Sequence, residues 1–124
     1  MALPDLNDPN KVEGKNVIVT SIPTTASGYL TNASGSNETL RISNIYVSNI
    51  DGTNACDVNC YIVDNSTVPA ATGYIAFTVA IPADASLLPL TKNESTYLME
   101  NQTLFLRASA SGDLSSIINY EDVS

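Results

Sequence analysis

Short extended segments separated by polar turns run through most of the chain, and this pattern constrains the fold more than any other feature. The last third, residues 81–124, shows it clearly. Within residues 103–108, for example, Leu104, Leu106 and Ala108 fall on one face. Such period-two spacing is typical of a strand with one buried face. Turns rich in Gly, Pro, Asn, Asp and Ser recur about every ten residues, so the sequence predicts an all-β protein.

The same spacing predicts about eight strands. They cover residues 16–21, 39–49, 58–63, 74–81, 86–90, 97–99, 103–108 and 114–121. Residues 24–36 are predicted to be a loop that could hold one short strand. The apolar face of 39–49 switches midway, which indicates a β-bulge or burial on both faces. In 74–81 the alternation predicts four inward side chains: Ile75, Phe77, Val79 and Ile81.

The chain length of 124 residues suits one domain with its own core. We expect a single antiparallel β-sandwich, jelly-roll-like, over residues 16–124. Residues 1–15 contain two prolines and several Asp and Asn residues, and they are predicted to form an extended N-terminal arm. The sequence leaves open whether this arm is a frayed terminus or lies on a neighbouring subunit.

Charge excludes several partners. Thirteen acidic residues oppose five basic ones, giving a net charge of −8. Such a chain repels phosphates, so no nucleic-acid partner is expected. No apolar run approaches the roughly 20 residues of a membrane span, so no membrane partner is expected either. The first residues lack the basic start and apolar stretch of a signal peptide, which predicts a protein made and kept in a cytoplasm.

The sequence offers few side chains that could act in catalysis. The chain has no histidine, so neither a Ser-His-Asp nor a Cys-His site can form. Asp57 and Asp64 flank one predicted strand, but no carboxylate spacing marks an acid–base pair. The turn at residues 51–54 is too short to supply a calcium loop by itself. We therefore predict a protein that is not an enzyme, with no catalytic, cofactor-binding or metal-ligating residues and no cofactor.

Cys56 and Cys60 are the only cysteines. Four residues apart in a strand, their Cα atoms would be about 13 Å apart. A disulfide tolerates at most about 7 Å. Both side chains point to the same face, so they are predicted to be free, small core residues.

Each of three surface features has two possible roles that the sequence leaves open. Five Asn-x-Ser/Thr triplets begin at Asn32, Asn37, Asn65, Asn93 and Asn101. They are either glycosylation acceptors or, as favoured here, chance occurrences in polar loops. Arg107 faces away from Leu106 and Ala108, either to form an interfacial ion pair or to be solvated. Tyr29 and Tyr74 could stack a sugar ring or could be ordinary tyrosines at a sheet rim.

The C-terminal third carries a family resemblance. Its elements are IPA at 81–83, LLPL at 87–90, YLME at 97–100, ASA at 108–110 and INYE at 118–121. In these it resembles small β-sandwich virion structural proteins of tailed bacteriophages, especially phages of marine and freshwater bacteria such as cyanobacteria. The resemblance covers about a third of the chain and excludes residues 1–73. Members are structural parts of the particle, and no catalytic residues carry over.

The resemblance implies a capsid decoration or cement protein that binds and stabilises the head shell. The alternative is a neck, tail or fibre-associated structural module of the virion, and a second alternative is a carbohydrate-binding module for host glycans. The expected partners are capsid or neck and tail subunits. Because symmetric sites on a shell favour closed rings, a homo-oligomer is expected, with a trimer favoured. The expected location is the virion, assembled in the bacterial host cytoplasm.

Overall fold

The structure is a computed structural model that describes residues 11–90 and 95–124, and it confirms the all-β prediction. Nine strands occur in these ranges. They are β1 (Val12–Val19), β2 (Ser27–Asn32), β3 (Thr39–Asn49), β4 (Cys56–Asp64), β5 (Ala71–Ile81), β6 (Ser86–Leu90), β7 (Thr96–Leu98), β8 (Gln102–Ala108) and β9 (Leu114–Val123). The described residues contain no helix long and apolar enough to cross a membrane.

The strands form two antiparallel sheets, as expected for a β-sandwich. The first sheet has the order β1-β9-β3-β6, and β7 also pairs with β3. The second sheet has the order β2-β8-β4-β5. The β4–β5 hairpin stays within the second sheet, and β6 and β7 both pair with β3 in the first sheet; each other connection carries the chain from one sheet to the other. The chain thus ties the two sheets together repeatedly along its length.

One apolar core lies between the sheets. The first sheet contributes side chains that include Ile42, Ile45 and Ile118, and the second contributes Val58 and Leu104, all fully buried. Such a core supplies most of the stability, because each buried side chain of this size contributes about 1.5–3 kcal/mol.

Of the two alternatives predicted for residues 39–49, a bulge or burial on both faces, the structure shows the bulge. Against β9, the register of β3 shifts between Ile42 and Asn44. One extra residue in β3 rotates the strand by one position, so Leu40 and Ile42 before the bulge and Ile45 and Val47 after it all face the core. The switch of apolar face in the sequence is therefore explained by this bulge.

The predicted face of β5 is wrong at Phe77. Instead of entering the core, Phe77 is 66% exposed, and Ala76 is buried in its place. Between the pairs Val58↔Val79 and Cys60↔Ala76, β5 holds one residue more than β4. This bulge includes Thr78, whose φ of 50° lies in the left-handed region. The alternation in the sequence fails here because it assumes an unbroken strand.

Two boundaries near the N-terminus differ from the sequence-based assignment. The predicted arm covered residues 1–15, yet Val12 to Lys15 belong to β1 and pair with β9. Residues 1–10 lie outside the described residues. Strand β2 occupies Ser27–Asn32, inside the segment predicted as a loop that could hold one short strand. Between β1 and β2, the fully buried Ile22 bonds through its N–H to the carbonyl of Leu114, so this crossing is anchored to β9.

Candidate functional site

The most distinctive surface is a group of aromatic rings on the outer face of the second sheet. Tyr61 on β4 lies directly opposite Phe105 on β8 and Tyr74 on β5. The rings of Tyr61 and Phe105 are stacked, with centroids 5.4 Å apart and planes 7° apart. Tyr61 and Tyr74 have centroids 5.2 Å apart, and Phe77 meets Tyr74 edge-on at 4.8 Å. We call Tyr61, Tyr74, Phe77 and Phe105 the aromatic platform.

A glycine makes room for one end of the platform. Gly28 on β2 is the cross-strand partner of Phe105. A Cβ atom at Gly28 would lie 2.8 Å from Cγ2 of Thr103 and 3.6 Å from Cε1 of Phe105. Even a methyl group would therefore force β2 away from β8 or displace the Thr103 side chain, whereas its contact with the Phe105 ring would be ordinary. Gly28 thus allows β2 to lie close to β8 beside the platform.

A row of polar side chains runs beside the platform. Arg107 lies opposite Asn59, two residues along β8 and β4 from the Phe105–Tyr61 pair. Residues two apart on a strand share a face and lie about 7 Å apart. Arg107, Asn59 and Thr78, together with the rings of Tyr61, Tyr74 and Phe77, line a cavity of about 180 Å³. Aromatic faces and hydrogen-bonding groups thus meet around one small depression.

Asn59 also fixes the bulge that exposes Phe77. Its Oδ1 accepts hydrogen bonds from the backbone N–H of Thr78 at 2.8 Å and from Thr78 Oγ1 at 3.2 Å. A side-chain acceptor that holds a backbone N–H of the bulge stabilises the unusual conformation of Thr78. Asn59 therefore links the polar row to the geometry of the platform.

The outer face of the first sheet carries a different surface. Ile18 pairs with Ile117, and Ile117 pairs with Tyr46, so three exposed apolar side chains follow one another across β1, β9 and β3. Leu88 on β6 adds a fourth exposed side chain on the strand beyond β3. Their exposed fractions are 67%, 41%, 38% and 42% in that order along the sheet. We call these four residues the apolar row.

Charged side chains cluster where the first strand, β1, pairs with the last strand, β9. Lys15 bridges Glu13 at 3.5 Å and Asp122 at 3.1 Å, and Lys11 pairs with Glu13. The hydrogen bond to Asp122 raises the pKa of Lys15, and the hydrogen bond from Lys11 lowers the pKa of Glu13. Because Glu13 and Asp122 are cross-strand partners, Lys15 relieves the repulsion between two like charges. These ion pairs connect β1 to β9, with Lys11 and Lys15 exposed and Asp122 largely buried.

The two cysteines are free and buried, as predicted. Burial raises the pKa of the Cys60 thiol to about 12. A thiol held neutral in this way is a poor nucleophile and a poor metal ligand. Within residues 11–90 and 95–124, no three acidic or cysteine side chains group closely enough to hold a metal ion.

The structure places the remaining candidate residues from the sequence in different environments. Asn32 is 2% exposed and bonded through its amide, so it is not an accessible glycosylation acceptor. Arg107 is exposed and donates from Nε to the carbonyl of Thr24 at 2.9 Å. Tyr74 belongs to the platform, whereas Tyr29 packs against the core at the register shift in β2. Asn93 lies outside the described residues.

Sequence reasoning missed the platform because its rings come from three strands. The signal was nevertheless present: Tyr61 and Phe105 each stand at an outward position between two inward apolar residues. Aromatic residues at outward positions of neighbouring strands indicate a surface cluster. No protein-family model matches this chain, and no curated protein matches it either.

Proposed function

We propose that this protein is a non-enzymatic structural component of a bacteriophage virion, and that it decorates and cements the head shell. Its partners are capsid subunits and further copies of itself, with a trimer as the favoured oligomer. It acts in the virion after assembly in the bacterial host cytoplasm. The proposal starts from the resemblance of residues 81–124 and draws its physical support from the outer face of the first sheet.

The apolar row is the observation that carries the proposal. Ile18, Ile117, Tyr46 and Leu88 expose apolar surface on all four strands in the order of the first sheet. Continuous exposed apolar surface on a sheet face is costly in water and marks interfaces with other proteins. A cement protein needs such a face, because it must stay bound at the junction between neighbouring shell subunits.

The strand order supports the same reading. The order β1-β9-β3-β6 facing β2-β8-β4-β5 fits a jelly roll, in which eight strands alternate between two four-stranded sheets. Jelly rolls recur in viral capsid proteins and in lectins. Strand β1 has only β9 as a partner among the described strands, so its other edge is open to a strand from a neighbouring chain.

Binding to heads that lack the protein tests the proposal. Wild-type protein added to such heads should bind in saturable fashion and raise the temperature at which they release DNA. The double variant Ile18→Glu, Ile117→Glu should lose binding, because two carboxylates would be buried without partners at the interface. The matched control Tyr74→Glu changes a residue on the other sheet whose exposure, 54%, lies between those of Ile18 and Ile117, and it should leave binding intact. Normal binding of the double variant together with loss in the control would contradict the assignment of the face.

Copy number separates the head from the alternative location. Hundreds of copies per particle support decoration, whereas about six, twelve or eighteen copies support a neck, tail or fibre-associated module. Cryo-microscopy of the particle that places the chain away from the capsid lattice would overturn the cement proposal in favour of that alternative. Light scattering of the purified chain gives the oligomer, for which we expect a trimer.

A further inference from the structure

The aromatic platform and its polar row have no role in the proposed contact with the shell, since they lie on the opposite face of the sandwich. The two faces also differ in chemistry. The apolar row offers mainly aliphatic side chains, as a protein contact requires. The platform combines flat rings with an arginine and an amide around a cavity of about 180 Å³. Few, convergent polar groups beside aromatic side chains are typical of a small-ligand site.

Arg107 is the first group in that depression whose hydrogen-bond donors are not all used by the described residues. Lys11, Lys15 and Arg41 each lie within 4.0 Å of a carboxylate. Of the described lysines and arginines, Arg107 is the one outside such an ion pair. Its Nε is held by the carbonyl of Thr24, and neither Nη has a hydrogen-bond partner in residues 11–90 and 95–124. The guanidinium is therefore held in place with two nitrogen atoms open to a ligand carboxylate.

Asn59 is the second such group. Its Oδ1 faces the N–H of Thr78, which fixes the orientation of the amide. The Nδ2 is consequently turned away from the bulge, and among the described residues it meets no acceptor. An amide donor and a guanidinium lie side by side on the cross-strand pair Asn59↔Arg107. Both are donors, so the ligand must present acceptors to this edge.

The exposed aromatic rings indicate which apolar surface the ligand must present. Phe77 and Tyr74 are 66% and 54% exposed, and they stand nearly perpendicular to each other beside the depression. A pyranose ring presents a face of C–H groups that can lie flat on an aromatic ring and a rim of oxygen atoms that need hydrogen bonds. The platform and the polar row are arranged to satisfy both parts at once.

The charge of the whole protein restricts the choice further. A net charge of −8 repels a polyanion such as single-stranded nucleic acid or a densely charged polysaccharide. A single carboxylate next to Arg107 is different, because the local ion pair acts at contact distance while the remaining charges are screened beyond about 10 Å at 0.1 M salt. The occupant should thus carry one acidic sugar in an otherwise neutral chain.

We propose that the aromatic platform, with Arg107 and Asn59, binds a hexuronate residue of a largely neutral glycan. The sugar stacks on Tyr74 and Phe77, its carboxylate pairs with the Nη atoms of Arg107, and a ring or hydroxyl oxygen accepts from Asn59 Nδ2. Tyr74 also lines a second depression of about 490 Å³ with residues of β4, β5, β7 and β8, which gives the neighbouring neutral sugars a place to lie.

The test uses the full chain and two matched sugars: xylotetraose carrying one glucuronic acid, and the same tetraose without it. Calorimetry and amide chemical shifts should show binding of the acidic sugar with at least about tenfold higher affinity than the neutral one. Phe77→Ala should weaken binding of the acidic sugar about tenfold or more. Arg107→Gln should abolish the preference for the acidic sugar. Ile18→Ala, on the other sheet, should change nothing.

Several results would overturn the proposal. One is the absence of any shift at Tyr61, Tyr74 or Phe77 with either sugar up to about 10 mM. Another is unchanged affinity in Phe77→Ala when its amide spectrum shows an intact fold. A third is equal preference for the acidic sugar in Arg107→Gln and wild type. Loss of particle binding by Phe77→Ala would instead assign the platform to a protein contact. All sugar measurements use isolated protein, so they are independent of the head-binding test on Ile18 and Ile117.

Discussion

Asn32 and Asn49 form matching bridges between the two sheets, one from each side. Each side chain is almost completely buried, and each Nδ2 donates two hydrogen bonds of 2.9 Å to backbone carbonyls. One acceptor in each pair belongs to a strand of the opposite sheet: Leu98 for Asn32 and Ile81 for Asn49. These asparagines therefore link the two sheets by hydrogen bonds at strand ends, where the apolar core ends and the loops begin.

Replacing Asn49 with alanine should lower the free energy of unfolding by about 2–3 kcal/mol, because the buried carbonyl of Ile81 and the partly buried carbonyl of Asn54 lose their donor. Urea denaturation followed by fluorescence measures the change. The control Asn65→Ala alters an exposed turn residue and should stay within about 0.5 kcal/mol of wild type. Equal effects of the two substitutions would show that the bridge adds nothing beyond ordinary packing.

Ile117 and Ile118 are neighbours on β9 with opposite environments, and they should respond differently to truncation. Ile118 is fully buried, so Ile118→Ala should cost about 2–5 kcal/mol through lost contacts and a residual cavity. Ile117 is 41% exposed in the apolar row, so Ile117→Ala should cost less than about 1 kcal/mol in the isolated chain. Thermal and urea unfolding of both variants give the comparison. A large loss of stability for Ile117→Ala would mean that this face is covered within the chain itself.

Gly28→Ala should destabilise the protein by about 1–3 kcal/mol, since the new methyl group meets Cγ2 of Thr103 at 2.8 Å. Thr103→Ser removes that methyl while keeping the hydroxyl that bonds Thr31, and it should restore part of the loss. Gly73→Ala is the matched control in an open position with nothing within 4 Å. Failure of Thr103→Ser to rescue Gly28→Ala would show that the contact with Cγ2 of Thr103 is not the source of the lost stability.

Cys60 should make the protein sensitive to alkali. Its folded-state pKa of about 12 lies above the ordinary value of 9.0, because burial disfavours the thiolate. The stabilisation from the neutral thiol is complete below pH 9 and is lost as the pH rises from 9 towards 12, by about 1.4 kcal/mol per pH unit. Between pH 9 and 11, the Cys60→Ala variant should therefore lose less stability than wild type. The two proteins differ at residue 60 alone, so parallel stability curves would contradict the prediction.

Regular segments of the fold could be predicted from the sequence, and irregular ones could not. Strand β3 was expected at residues 39–49 and lies at Thr39–Asn49, with its bulge foreseen from the shift in apolar face. Strand β2 was expected only as an optional short strand in a loop, because its residues, including Ser27, Gly28 and Asn32, are those typical of loops. It becomes a strand through pairing with β8, a long-range contact that local composition does not encode.

The candidate site was less accessible to sequence reasoning than the fold. Phe77 was assigned to the core, since nothing in the local alternation announces that Thr78 adopts a positive φ. The acceptor that stabilises this conformation, Asn59, lies on another strand 19 residues away. Arg107 was correctly placed on an outward position, but its aromatic surroundings depend on the register of three strands. Registers of this kind follow from tertiary pairing.

The extra residue in β5 has a consequence for how this surface could change over evolutionary time. Phe77 and Thr78 together lie opposite Asn59, so deleting Thr78 would leave Phe77 as the single partner of Asn59, still on the outer face. The backbone N–H and the hydroxyl that donate to Asn59 Oδ1 would be lost, and the amide would be free to turn. A change of one residue in length would therefore keep the exposed rings but release the polar group beside them. Relatives of this protein with a shorter β5 should accordingly differ from it at the position of Asn59.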